Sequence, residues 1–426
     1  MNKTKFSATK CSGSASGGKQ TEIGEIPEGW EESAIGDHIE LVYGDGLPAR
    51  ERENGTIPVF GSNGVIGFHN HALVKGPGII IGRKGTVGQV TLSKIDFWPI
   101  DTTYYVRFKE GNDIFFWYYL LKTLGLTQMN SHSAVPGLDR NNVYSILKEI
   151  PPIAEQRTIA KILSDLDAKI ELNHQMNKTL ESIAQAIFKR WFVDFEFPDK
   201  NGKHYKSSGG KMFDSELGKI PDGWNAGILS DILELQIGGD WGEDDNFEGA
   251  VQVVSLRGTD LEQLKSCGYA INAPARWIKK DSLEKRRIDD CDILIGGSGL
   301  GPIGRSIYCS SEINSLYQYP VTHSNFCKRL SSEIPAYAIY AECILENMYR
   351  SEEMKQYFTG TSIPNLDTNS LLSHKIVIPP KTVTTWFYQI LKNKYARLYN
   401  NENIILSQIR DSLLPRLMSG KIRVQN

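Results

Sequence analysis

The 426-residue sequence lacks the features that mark several common classes of protein. It has no run of about 18 apolar residues, so it predicts no membrane span. Its six cysteines include no C-x-x-C pair, which argues against a zinc ribbon or a thioredoxin-like redox site. No signal peptide is visible in 1–20, and the scattered cysteines then predict a cytoplasmic protein. The formal net charge is only −2, so contact with nucleic acid would depend on local basic surfaces.

Motifs for catalysis are also missing. The sequence has no P-loop, no Asn/Asp-Pro-Pro-aromatic motif of an amino-methyltransferase, no G-x-S-x-G and no H-E-x-x-H. Gly299-Leu-Gly301-Pro-Ile-Gly304 fits G-x-G-x-x-G, but the pattern after it predicts a strand and not the helix that binds a pyrophosphate. We interpret this segment as a glycine-rich hairpin. The sequence therefore predicts no catalytic residue, metal site or cofactor in this chain.

An internal duplication is the strongest positive signal. Ile26-Pro-Glu-Gly-Trp30 returns as Ile220-Pro-Asp-Gly-Trp224, and Val135-Pro-Gly-Leu-Asp139 returns as Ile363-Pro-Asn-Leu-Asp367. A Pro-Pro pair that follows an isoleucine then closes each copy. Two further pairs are Gly78–Gly82 with Asp292–Gly296, and the set Leu180, Ile183, Ile187 and Arg190 with Leu406, Ile409, Leu413 and Arg416. Five pairs of landmarks in the same order indicate a tandem repeat. The two copies are similar at their edges and diverge in between. This indicates a common framework whose surface residues differ between the copies.

Two types of composition and hydrophobic pattern alternate along the sequence, and they predict how the chain is organised. The glycine-rich parts with short β-branched runs predict mixed α/β (α+β) domains, with helices at Asp113–Leu126 and Ala336–Phe358. The predicted segments are a flexible tail (1–24), a first domain (25–150), a central helix (151–195), a linker (196–218), a second domain (219–378) and a C-terminal helix (379–426).

The segment after each Pro-Pro pair has the apolar spacing of a long amphipathic helix with a coiled-coil seam. Each stripe is too long to bury on a small domain, so we predict an antiparallel coiled coil; packing of each helix on its own domain is the alternative. Asn173 falls near the seam, where a polar residue can fix register, and Pro415 should kink or end the second helix. The predicted seam residues are Ile159, Ile162, Leu166, Ile170, Met176, Leu180, Ile183, Ile187, Phe387, Leu391, Leu398, Ile405, Ile409 and Leu413.

The order of these motifs resembles the specificity (S) subunit of Type I restriction–modification enzymes. Besides the duplicated landmarks, the resemblance includes Gly61-Ser-Asn-Gly64, Ile81-Gly-Arg-Lys-Gly85 and Arg190-Trp-Phe192, and it covers nearly the whole sequence after residue 25. Two departures stand out. Glu155-Gln-Arg157 has no counterpart in the second copy, and Gly296-Gly-Ser298 stands where an arginine is expected.

The resemblance implies a subunit that recognises DNA and is not itself catalytic. Each globular domain would be a target-recognition domain for one half of a split, asymmetric site in double-stranded DNA, and the helices would set the distance between the halves. The subunit would assemble with two modification (M) subunits, which use S-adenosylmethionine to methylate adenine at N6. Restriction (R) subunits would use ATP to translocate and cut DNA. S-adenosylmethionine, ATP and Mg would then belong to the partner subunits.

Two alternatives stay open at this point. The chain could be a DNA-binding adaptor for a methyltransferase without a nuclease, or a tandem-repeat scaffold that binds no DNA. Genes for a methyltransferase and for a large ATPase–nuclease beside this one would favour the full restriction–modification complex.

Candidate DNA contacts are polar and basic residues in glycine-rich turns. Arg matches guanine and Asn matches adenine at base edges, whereas Lys, Ser and Thr also contact phosphates. An ordinary turn or a solvated surface position is the alternative for each residue. In the first domain the candidates are Ser62, Asn63, Arg83, Lys84, Thr86, His132 and Ser133. In the second they are Arg257, Lys279, Lys280, Arg286, Arg287, Ser298, Arg305, Thr361 and Ser362.

Overall fold

The computed structural model describes residues 19–21, 24–129, 137–299, 301–360, 362–399 and 401–424. The candidates His132, Ser133 and Thr361 lie outside these ranges, as does most of the predicted tail. At the end of that tail, Lys19–Thr21 pairs with Gly24–Ile26 as two short antiparallel strands. The chain forms two compact units, unit 1 from 1–168 with 407–426, and unit 2 from 169–406.

Unit 1 is a mixed α/β structure. Its largest sheet is antiparallel, with the strand order Ile39–Tyr43, Thr103–Phe108, Gly78–Gly82, Val90–Ser93. A second sheet has the order Gly64–His69, Ile57–Gly61, Trp98–Pro99, and Leu147–Ile150 pairs with Glu31–Ala34. The short helices are Ile35–His38, Ala49–Glu51, Ile114–Thr123, Leu126–Gln128 and Arg140–Tyr144. The Asp113 carboxylate caps the longest of these by accepting from the Phe116 amide at 2.9 Å.

Unit 2 repeats this sheet topology. Its largest sheet has the order Glu234–Leu235, Cys327–Ser331, Asp292–Gly296, Ser306–Cys309, again antiparallel throughout. A second sheet has the order Ala275–Lys279, Ala250–Leu256, Val321–His323, and Asn225–Ile228 pairs with Lys375–Ile378. In both second sheets the central strand has one antiparallel and one parallel neighbour. The duplication predicted from the landmarks therefore extends to the order and direction of the strands.

The extra elements of unit 2 show where the copies diverge. A two-residue turn, Ser62-Asn63, joins the first two strands of the second sheet in unit 1. The corresponding strands of unit 2 are joined by the helix Gly258–Cys267. The further elements of this unit are the strand pairs Met212–Ser215 with Gly218–Pro221 and Phe358–Thr359 with Asn365–Leu366, and the short helices Leu229–Asp231, Lys280–Arg286, Ser311–Ser315, Pro335–Arg350, Glu353–Tyr357 and Thr368–Leu372.

Both Pro-Pro pairs precede a helix, as predicted. The central helix is Ile153–Phe188 and continues as the π-helical turn Lys189–Val193. The C-terminal segment forms two helices and not one, Lys381–Leu398 with Pro380 at its N-cap, and Glu402–Met418. The last helix continues past Pro415, so of the two predicted outcomes, a kink or an end, the end is wrong. A proline this near the end removes one backbone hydrogen bond, and the remaining turn is still formed.

Side-chain contacts join the long helices in each unit, and in unit 2 these contacts are antiparallel. In unit 2, the Asn173 amide nitrogen donates to Oδ1 of Asn403 at 2.7 Å, and farther along the central helix Glu181 pairs with Lys394. In unit 1, Asp167 accepts from Arg410 at 2.7 Å. Residue numbers rise along the central helix while those of the partners fall.

Burial corrects the predicted seam at three positions. Ile183, Ile405 and Ile409 are exposed by 48%, 44% and 42%, whereas Ala184 and Asn403 beside them are buried. One residue is a rotation of about 100° on a helix, so a small error in the period moves a side chain out of the seam. Among the other predicted residues, Ile159, Phe387, Leu391 and Leu398 are buried, and Ile162, Leu166, Ile170, Met176, Leu180, Ile187 and Leu413 are partly buried.

Replacing Asn173 by leucine should destabilise unit 2, because the Asn403 side chain, 4% exposed, would lose its partner. An unsatisfied buried amide costs about 1–3 kcal/mol. Urea denaturation of the full chain measures this loss. The double variant Asn173→Leu/Asn403→Leu should recover most of it, because it leaves no polar group unpaired. Equal and additive losses in the two single variants would show that the pair is not coupled.

Three further observations concern the glycine-rich hairpin, the burial of the cysteines and possible membrane spans. The glycine-rich segment that includes Gly299 and Gly304 joins the antiparallel strands Asp292–Gly296 and Ser306–Cys309, so it is a hairpin as predicted. Cys309, Cys327 and Cys343 are buried, and Cys267 and Cys291 are partly exposed. Within the described parts of the chain, no helix has the length and apolar character needed to cross a bilayer.

Candidate nucleic-acid interface

Three candidates of the first domain surround Gly82, the last residue of a fully buried strand. The Thr102 carbonyl accepts from the Ser62 hydroxyl at 2.7 Å and from the Arg83 amide at 2.9 Å. A Cβ atom at Gly82 would lie 2.1 Å from the Thr86 carbonyl oxygen and 2.9 Å from that of Ser62. Glycine alone permits this close approach, so the backbone brings the three turn residues together at one end of the sheet.

The Arg83 side chain has a defined position above an aromatic pair. Its Nε and Nη2 donate to the Asp101 carbonyl at 3.2 and 2.6 Å. Its Cζ atom lies 5.1 Å from the ring centre of Tyr43 and 5.9 Å from that of Tyr104. Arg140 adds a second guanidinium 5.4 Å from the Tyr43 ring. Cations over aromatic faces are stabilised, so the two rings hold a pair of arginines in place.

Electrostatics keep this cluster positive. Burial and the Tyr43 hydroxyl raise the pKa of Tyr104 to about 12, so its ring stays neutral. Among the residues that the structure describes, no carboxylate pairs with Arg83, Lys84 or Arg140. At the opposite end of the same sheet Arg107, by contrast, is paired with Glu40 at 3.0 Å. We call the end of unit 1 formed by Tyr43, Arg83, Lys84 and Arg140 the cationic edge.

Of the other described candidates, Lys84 belongs to the cationic edge and Asn63 lies beside it. Lys84 is exposed, and an isolated bridge joins it to Gly137, which follows the segment that includes His132 and Ser133. Asn63 is also exposed, in the turn next to Ser62. The structure therefore places the described candidates of the first domain on one side of unit 1.

The corresponding edge of unit 2 differs in chemistry. Gly297 stands in the place of Arg83, and its amide donates to the Phe326 carbonyl at 2.8 Å. Ser298 forms a bridge with Asn365, which brings the exposed Ser362 loop to the same edge. The side chains of Phe326 and Ile237 are exposed by 52% and 47%. Apolar groups replace the aromatic-supported arginines on this side.

Two of the predicted arginines of the second domain form ion pairs with neighbouring residues. Arg257 pairs with Asp260 at 2.9 Å. Arg305 pairs with Glu262 at 2.5 Å, and its Cζ lies 4.5 Å from the Tyr349 ring centre. The structure therefore accounts for both arginines by contacts within unit 2.

The basic candidates Lys279, Lys280, Arg286 and Arg287 lie at the two ends of the short helix Lys280–Arg286. Lys279 and Lys280 are exposed at its start, and Arg287 is exposed at its end. Arg286 donates to the Gly238 carbonyl at 2.7 Å, next to Ile237. This contact joins the end of the helix to the edge of unit 2 at which the side chains of Ile237 and Phe326 are exposed.

Sequence reasoning missed Tyr43 and Arg140 in unit 1 and Ile237 and Phe326 in unit 2. Tyr43 and Ile237 lie 194 positions apart, the same offset as the Ile-Pro-x-Gly-Trp motifs. Alignment of the two copies at that offset was the signal that could have found both. Nothing in the described part of the chain groups three or more His, Cys, Asp or Glu side chains for a metal ion.

Comparisons with known proteins agree with this architecture. Residues 27–182 match the family model "Type I restriction modification DNA specificity domain". The chain is 26% identical to the Type I restriction enzyme MjaIX specificity subunit of Methanocaldococcus jannaschii, over 96% of each protein. It is 28% identical to the HindI specificity subunit of Haemophilus influenzae, over 67% of this chain and 71% of that protein. A crystal structure of a Type I S subunit from M. genitalium covers 91% of this chain and is itself covered to 96%, with 16% identity and a TM-score of 0.57.

These comparisons confirm the resemblance to the specificity subunits of Type I restriction–modification enzymes. The structural match shows the same fold. Specificity subunits are the recognition components of their enzymes and are not catalytic, as predicted for this chain. The prediction of a non-DNA scaffold receives no support from any of these matches.

Proposed function

We propose that this chain recognises a bipartite, asymmetric site in double-stranded DNA for a Type I restriction–modification complex. Unit 1 would bind one half-site and unit 2 the other. The observation that carries the proposal is the duplicated sheet topology with different side chains at the corresponding edges. Two domains with the same topology but different edge side chains suit the recognition of two different DNA sequences. Two linked binding modules also gain effective concentration over either one alone.

The partners in this proposal are two modification subunits and the restriction subunits. Support comes from apolar side chains on the long helices of unit 2: Leu172, Trp386 and Ile390 are exposed by 52%, 41% and 46%. Exposed apolar surface of this kind marks interaction sites. S-adenosylmethionine, ATP and Mg would bind to the partner subunits, and the complex would act in the cytoplasm, where its DNA lies. An adaptor that serves a methyltransferase alone would use the same surfaces.

The experiment that tests the function is long-read sequencing of methylated DNA from cells with and without this gene. We expect one bipartite motif with methylated adenine that disappears when the gene is deleted. A set of methylated motifs that does not change on deletion would contradict the proposal. A restriction assay with unmodified phage in the same strains distinguishes the full complex from the adaptor.

Independent recognition by the two units predicts the result of a domain exchange. Replacing residues 25–150 by the first domain of another specificity subunit should change one half of the methylated motif and leave the other half intact. The physical reason is that the cationic edge and its supporting sheet lie within the exchanged residues. A change in both halves would show that the units do not recognise DNA separately.

A further inference from the structure

We propose that Arg83 recognises one guanine in the half-site bound by unit 1. This inference rests on the proposed function, because it assigns a base to a surface that must first bind DNA.

The free donors of Arg83 form a fork. Nε and one hydrogen of Nη2 point to the Asp101 carbonyl, at 3.2 and 2.6 Å. This uses one side of the planar group and leaves Nη1 and the second hydrogen of Nη2 at its end. No described residue accepts from Nη1. Two parallel N–H donors therefore remain for a ligand with two neighbouring acceptors.

Guanine is the base that fits this fork. In the major groove guanine presents O6 and N7, two acceptors side by side, whereas adenine presents one acceptor and one donor. Cytosine offers a donor, and thymine offers one acceptor beside a methyl group. A fixed pair of donors selects guanine over the other three bases.

The surroundings of Arg83 fix the fork before DNA binds. The Asp101 carbonyl and the rings of Tyr43 and Tyr104 restrain the guanidinium from three directions. A side chain that is already ordered loses less entropy on binding, which favours affinity and selectivity. Tyr43 is 51% exposed, so this support lies at the surface, where DNA can reach the arginine.

The position of unit 2 that corresponds to Arg83 has no side chain that could donate to a base. Gly297 stands at the position of Arg83, and a Cβ atom there would lie 3.0 Å from the Phe326 carbonyl oxygen and 3.2 Å from the Lys328 side chain. A side chain at this position of unit 2 would therefore displace its neighbours by a few tenths of an ångström. Recognition of guanine by this mechanism is confined to one of the two half-sites.

A phosphate is the competing ligand, because the same fork binds two phosphate oxygens. The two ligands make different predictions. A phosphate contact strengthens binding to every sequence equally, whereas a guanine contact strengthens binding to one base at one position. The experiment has to separate these outcomes.

The test measures DNA binding by the complex of this chain with its methyltransferase subunits. Each guanine of the methylated motif is replaced in turn by 7-deazaguanine, which keeps the base pair and removes the N7 acceptor. One guanine, in one half-site, should weaken binding by about 10- to 100-fold, the range of a lost bidentate contact. The Arg83→Met complex keeps an unbranched side chain but has no donor, so it should bind natural and modified DNA equally at that position.

The matched control is Arg107→Met, the same substitution at the opposite end of the sheet, which removes only an exposed ion pair with Glu40. It should retain the wild-type sensitivity to 7-deazaguanine. If no guanine responds, or if the effect of Arg83→Met is the same on all sequences including unrelated DNA, the guanine assignment is overturned and the proposed function stands. A complex without any sequence preference would instead overturn the proposed function.

Discussion

Inserting four residues into both long helices, after Ala168 and after Leu406, should lengthen the spacer of the methylated motif by one or two base pairs. Both helices pass from one unit to the other at these positions. Four residues add about 6 Å of helix, and base pairs repeat at about 3.4 Å along DNA. An added rotation of about 400° is close to a full turn, so the seam keeps nearly the same direction. Both half-sites should persist.

The placement of the insertions follows from the antiparallel contacts. An insertion in the central helix alone would move Asp167 or Asn173 relative to partners that do not move, Arg410 and Asn403. A paired insertion moves both members together. Two-residue insertions at the same places are the control. They rotate the seam by about 200° and should abolish assembly with the methyltransferase subunits. If the enzyme stayed active and the spacer kept its length, the helices would not set the distance between the half-sites.

The second large effect is expected at Lys265, the centre of a buried charge cluster in unit 2. Its ammonium pairs with Glu342 at 2.7 Å and with Glu346 at 2.6 Å. Glu346 also pairs with Arg350 at 2.6 Å, and the Tyr395 hydroxyl donates to Glu342 at 3.2 Å. The cluster joins the helices Gly258–Cys267 and Pro335–Arg350 to the helix that begins at Lys381.

A third carboxylate links this cluster to the central helix. Glu181 pairs with Lys394 and lies 3.5 Å from Arg350. Burial raises the pKa of Glu181, but Lys394 and Lys265 outweigh burial and bring it down to about 2. Burial also disfavours the charged form of Lys265, yet Glu342 and Glu346 raise its pKa. Three carboxylates and three cationic side chains thus join the second globular domain to the central helix and to the helix that begins at Lys381.

Replacing Lys265 by methionine should destabilise unit 2 by about 3–5 kcal/mol, the cost of leaving buried charges unpaired. Chemical denaturation followed by the signal of the buried aromatic residues measures the loss. The control is Lys161→Met, which removes an exposed pair with Asp165 and should cost less than about 1 kcal/mol. A loss in Lys265→Met no larger than that of the control would contradict the role of the cluster.

The pH dependence separates charge from packing in this variant. Burial already raises the pKa of Glu342 in the intact protein, and loss of Lys265 removes the cation that opposes burial. A carboxyl whose pKa in the folded state lies above its unfolded value disfavours folding while it is charged and stops doing so when it binds a proton. The deficit of Lys265→Met should therefore be greatest near pH 7 and shrink as the pH falls toward 5. A deficit constant over this range would indicate lost packing alone.

Much of the candidate site in unit 1 was predictable, and less of that in unit 2. Ser62, Arg83, Lys84 and Thr86 stand in glycine-rich turns that the sequence shows directly, and glycine at position 82 lets them meet. In unit 2 the arginine criterion selected Arg257 and Arg305, which the structure pairs with Asp260 and Glu262. A basic residue in sequence does not show which acid will neutralise it.

The sequence by itself determined the duplication, the start of each long helix after a Pro-Pro pair, the mixed α/β class and the absence of known catalytic motifs. These features depend on local composition and on the order of landmarks, which the sequence displays. Only the tertiary structure decided that Ala184 and not Ile183 is buried, and that Arg83 rests on Tyr43, about forty positions away in the chain. Such outcomes depend on helix rotation and on contacts between distant residues, because the free energy of packing belongs to pairs of surfaces and not to single segments.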